Sequence, residues 1–193
     1  MARIDQVEPR AGALRRSLDA AYAASGALSA SLVAAICLLV TAQVACNIVT
    51  RAAGIVGLDV ALTIPSYAEF AGYMLAAATF LGLAYTLMRG GHIRVTLLTR
   101  AARGGLALAL EAASILVALF LAVAATYYMG GKLHEAWRFG DMSIGIVRFP
   151  LWVPLASVVA GLGLLSLALA DLLGQTLKAR APVLISQGEV SAE

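Results

Sequence analysis

The sequence predicts an all-α integral membrane protein with four transmembrane helices and a short interfacial segment between the second and third. Three observations predict it. Of the 193 residues, 61% are hydrophobic and only 13% are charged, whereas a soluble domain is about half apolar and a quarter charged. The apolar residues gather into four runs, each longer than the ~18 residues that mark a spanning helix. The basic residues gather between those runs, alternating in density from one side to the other.

Residues 26–49 form the first span, with Ser29, Ser31, Thr41, Gln43 and Asn47 as its polar members. The second span covers 68–88 and the third 106–129, with Glu111 near its start. The fourth covers 151–173, with Pro150 and Pro154 flanking its entry, where missing N–H groups cost least. A polar tail, 1–25, precedes the four-helix domain 26–173, and a second tail, 174–193, follows it. The first tail carries Arg3, Arg10, Arg15 and Arg16 and has no export cleavage pattern, so the first run reads as an uncleaved span. Between the second and third spans, residues 92–106 place Ile93, Leu97 and Leu98 on one helical face and Arg94 and Arg100 elsewhere, which suits a short helix lying in the interface.

Charge sets the orientation. The N-terminal tail holds four Lys or Arg, the second loop four (Arg89, Arg94, Arg100, Arg103) and the C-terminal tail two (Lys178, Arg180). The first loop holds one (Arg51) and the third loop, 130–150, three (Lys132, Arg138, Arg148). Cytoplasmic loops are the basic ones, so both termini and the second loop are expected in the cytoplasm and the other two loops outside. The formal net charge of +3 is accounted for in this way and does not imply a nucleic-acid partner.

Little in the spans suggests reaction chemistry. Cys37 and Cys46 lie nine positions apart on one helix, roughly 13 Å along its axis, too far for a disulfide, which needs Cα atoms within about 7 Å. His92 and His134 fall in loops expected on opposite faces and cannot share a haem or metal, so no cofactor is expected. Ionisable residues deep in a membrane mark solute or proton pathways. Here Glu111 and Asp171 lie near span ends, where both could snorkel to water, and each is expected to be interfacial or structural. Internal repeats and broken helices, the usual parts of a transporter's solute site, are not evident. Small residues four apart, Ala78 with Gly82 and Ser157 with Gly161, suit close helix packing. Two other classes remain open on the residues alone: a self-contained four-helix membrane enzyme or redox protein, and a small autonomous exporter.

The residues around the second span carry a more specific pattern. Glu69 opens it, Thr79-Phe80-Leu81-Gly82 lies at its middle, and Arg89, Gly91, His92, Ile93, Arg94 and Val95 follow it. Asn47 and Arg51 mark the exit of the first span. Trp137, Gly140, Ser143, Pro150 and Gly161 punctuate the third loop and fourth span. In this order the set resembles the small permease subunit of tripartite ATP-independent periplasmic (TRAP) transporters, the DctQ-like family, over about 47–173. Thr96 stands where the family often has Asp, and Ala160 where it often has Pro. The resemblance implies a non-enzymatic scaffold in the bacterial inner membrane. Its partners would be a large permease subunit alongside it, a periplasmic binding protein and lipid, and the system would take up organic acids, driven by Na⁺. Arg51 and Glu69, of opposite charge at the outer ends of the first two helices, are expected to pair. Residues 89–95 are expected to anchor the cytoplasmic turn.

Overall fold

The computed structural model describes residues 13–89 and 105–179, and four helices carry the fold. They are α1 (Ala13–Ile55), α2 (Tyr67–Met88), α3 (Gly105–Phe139) and α4 (Trp152–Ala179). All four are long and apolar enough to cross a membrane, as backbone groups in lipid require. The expected segment 92–106 lies largely outside the described residues.

Three helices run further than their apolar runs. α1 has 43 residues, α3 35 and α4 28, or about 64, 52 and 42 Å at 1.5 Å per residue. Hydrocarbon needs only about 30 Å. The α1 and α3 ends are set by glycine, not by polarity. Gly57 and Gly140 adopt φ values of +77° and +66°. Leu58 N–H reaches back to the Ala53 carbonyl at 2.9 Å, and Asp141 N–H to the Ala136 carbonyl at 3.1 Å. Both are six-to-one Schellman closures with glycine in the left-handed position. The third loop is therefore shorter than expected: residues 130–139 continue α3, and the Gly130-Gly131 pair does not end it because neither adopts a positive φ.

In space the order is α1, α2, α4, α3, each helix packing mainly on the next. The small residues set these approaches. A Cβ on Gly161 would lie 2.8 Å from the Leu81 backbone nitrogen, so α4 meets the α2 backbone directly there. A Cβ on Gly82 would lie 2.9 Å from Ser29 Oγ, and that hydroxyl donates to the Ala78 carbonyl at 2.6 Å. Between α3 and α4, Ile115, Ala122, Leu169 and Leu172 form an apolar core, and the hydroxyls of Thr126 and Ser166 meet at 3.5 Å. A second core joins three helices, with Tyr22 of α1, Ala84 of α2 and Ala168 of α4. The flanking helices are the least covered: only 6% of α1's most apolar stretch and 17% of α3's is buried, against 28% in α2 and α4.

Candidate interaction surface

Three polar clusters fix the ends of this row, and none lies at its middle. At the end that holds the α1–α2 loop, Gln43 is buried in α1. Its amide oxygen accepts from Ile64 N–H at 2.8 Å, and its amide nitrogen donates to Asn47 Oδ1 at 3.1 Å and Thr63 Oγ1 at 3.2 Å. Two turns on, Thr50 Oγ1 donates to the Leu62 carbonyl and accepts from Leu62 N–H. A polar side chain in an apolar helix needs such partners, and these two fold the loop back along α1.

At the same end, Ser143 is buried and holds the α3–α4 loop in shape. Its hydroxyl donates to the Val147 carbonyl at 3.1 Å and accepts from Phe149 N–H at 3.2 Å, and its own N–H reaches the Phe149 carbonyl at 2.8 Å. A short bridge pairs Met142 with Pro150. This loop leans on the start of α2. Val147 N–H donates to Ser66 Oγ at 3.1 Å, Gly145 sits where any side chain would strike the Glu69 carboxylate, and Phe149 packs on Phe70 and Tyr73. Ser66, the α2 N-cap, is held at a left-handed φ of 57°. Outward, Ile144 and Ile146 are fully or nearly fully exposed.

At the opposite end, Arg15 of α1 reaches Asp171 of α4 at 3.7 Å, and Gln175 donates to the same carboxylate at 2.9 Å. Asp171 is thus tied between helices and does not simply snorkel. Glu111 is buried, one turn before Ile115 of the α3–α4 core, so it does not snorkel to water.

The sequence-derived residues fall unevenly on these clusters. Asn47, Glu69, Gly82, Ser143, Pro150 and Gly161 each sit at a helix or loop contact. Trp137 meets Trp152 edge-to-face at 4.7 Å between ring centroids. Arg89 caps α2, its N–H on the Tyr85 carbonyl and its guanidinium 5.3 Å above the Tyr85 ring. The expected Arg51–Glu69 ion pair does not form. Arg51 is exposed, one turn before the end of the longer α1, while Glu69 turns inward to Gly145 and accepts from the Tyr73 hydroxyl at 3.2 Å. Gly91, His92, Ile93, Arg94 and Val95 lie outside the described residues. Sequence reasoning did not single out Ser66, Tyr73 or Phe149; only their nearness to Glu69 in space reveals them.

Among the described residues, no group of three or more His, Cys, Asp or Glu could hold a metal ion. What the row offers is a broad apolar lateral surface with its polar groups used for its own bracing. That defines a multi-pass membrane subunit built to pack. Residues 36–179 match the family described as tripartite ATP-independent periplasmic transporters, DctQ component. The chain belongs to that family, the small membrane subunits of TRAP transporters. No curated protein and no solved structure matches it.

Proposed function

We propose that this chain is the stationary scaffold subunit of a TRAP uptake system for organic acids, coupled to Na⁺, in the bacterial inner membrane. It binds the large permease subunit laterally through the apolar sides of its helix row. The loops at 56–66 and 140–151 face the periplasm and the binding protein, and both termini lie in the cytoplasm. The observation that carries this reading is how little of the most apolar stretch of α1 and α3 is buried, 6% and 17%, since each packs mainly on one neighbour and its other sides suit packing on another membrane protein. The three polar clusters at the two ends support rigidity over movement.

Reconstitution tests it. Liposomes holding this chain alone, the large subunit with the binding protein, and all three are given an inward Na⁺ gradient and carboxylate substrates. Uptake is expected with all three only. Uptake by this chain alone refutes the scaffold reading, and full uptake without it refutes the requirement for it.

A further inference from the structure

Between the outer ends of α3 and α4 lies a groove of about 430 Å³, lined by Gly130, Leu133, His134, Trp137, Trp152 and Ala156. Its volume falls in the range of small-ligand sites. Trp152 and Ala156 belong to the apolar opening of α4, while Gly130, Leu133, His134 and Trp137 lie where α3 leaves the hydrocarbon, so the groove lies at the membrane's edge. Its body is apolar, yet its mouth is rich in donors without acceptors. The indole N–H groups of Trp137 and Trp152 and the His134 ring, which line the groove, find no acceptor among the described residues, nor does the guanidinium of Arg138, which lies outside the lining one helical turn beyond His134 on α3. The nearest acid on this turn, Glu135, is occupied by Lys132 at 2.8 Å. An apolar slot with an unneutralised cation one helical turn beyond its lining is complementary to a chain bearing a negative head.

We propose that this groove binds an anionic phospholipid. One acyl chain lies against the two indoles over Gly130 and Leu133, and the headgroup phosphate is held by Arg138 and His134. Tryptophan is at home at headgroup depth, and arginine matches phosphate oxygens with its forked donors. Gly130 lines the slot and nothing lies within 4 Å of where its Cβ would stand, so a large side chain there has room to occupy it. The choice of leaflet rests on the orientation proposed above; the chemistry of the groove does not.

The protein carries two tryptophans, and both wall this groove, so intrinsic fluorescence reads this site alone. The full chain is placed in phosphatidylcholine liposomes, which hold no other protein, doped with phosphatidylglycerol or phosphatidylcholine carrying brominated acyl chains, and tryptophan emission is excited selectively. Half-quenching is expected at about fivefold less brominated phosphatidylglycerol, the worth of roughly one basic residue at an anionic surface. Replacing His134 and Arg138 by Gln removes that preference and leaves quenching by phosphatidylcholine unchanged. Gly130→Leu lowers quenching by both lipids. Equal quenching by the two headgroups, or no effect of Gly130→Leu, overturns the site. Native mass spectrometry of the complex with the large subunit separates the competing occupant. Retained phosphatidylglycerol that is lost with Gly130→Leu supports the proposal, whereas lipid expelled when the large subunit binds assigns the groove to a partner helix. Failure of this chain to bind the large subunit counts against the scaffold reading only, because the quenching arms use this chain alone.

Discussion

Single residues in this chain act mostly by what they leave out. Gly161 lets α4 touch the α2 backbone, and any side chain there must push the two helices apart. Overpacking of this kind costs about 1–3 kcal/mol. Gly161→Ala is therefore expected to lower the thermal midpoint in detergent by several degrees, while Gly163→Ala, which meets open space, leaves it unchanged or raises it. Equal midpoints for the two variants refute the close approach. Ser143 acts by what it supplies. Ser143→Ala leaves the Phe149 N–H and Val147 carbonyl without a side-chain partner, at a cost of about 1–3 kcal/mol if they stay buried. Faster proteolysis within 140–151, with the rest of the chain intact, is the expected readout. Ser143 drew notice in the sequence only through the family resemblance, and Gly161 through that resemblance and its spacing from Ser157. The reason for each is spatial: a backbone from another helix in one case, a loop folded on itself in the other.

At the scale of elements, the existence and number of helices were legible and their lengths were not. Apolar runs mark what hydrocarbon must cover, so they located four spans. They say nothing of a helix that continues past the hydrocarbon, and α3 continues through Lys132, Glu135 and Arg138 to Phe139. The stop signals were present as Gly57 and Gly140, each needed for its left-handed cap. Gly140→Ala is expected to cost about 1 kcal/mol or more, the penalty of a left-handed Cβ, and to fray the last turn of α3 without unfolding α4. The Arg51–Glu69 pairing failed for the same reason. It assumed that the first two helices end level, whereas α1 runs on and its loop folds back along it through Gln43 and Thr50. Neighbour order can be checked by oxidation in a background lacking Cys37 and Cys46. Cysteines at Thr126 and Ser166, whose hydroxyls stand 3.5 Å apart, are expected to cross-link α3 to α4. Cysteines at Thr126 and Ser31 are expected not to, since α1 and α3 sit at opposite ends of the row.

For the whole molecule, the ten-to-four division of basic residues predicts that reporter fusions after Leu177 and within 100–105 register as cytoplasmic and those near Gly57 and Gly140 as periplasmic. A periplasmic signal from 100–105 overturns the orientation. Neighbour order in space was not legible, because apolar runs of similar composition do not encode which helix lies beside which; Gly161 facing α2 settles it only in three dimensions. That order has a consequence for how the chain is made. α1 and α2 leave the ribosome in succession and can pair at once. α3 follows, but its main neighbour is α4, which has not yet been synthesised. During that interval α3, with its buried Glu111, waits in lipid or in the insertion machinery without its principal partner. Chains arrested just after Phe139 should therefore be the ones most readily degraded, and release of α4 the step that ends their vulnerability.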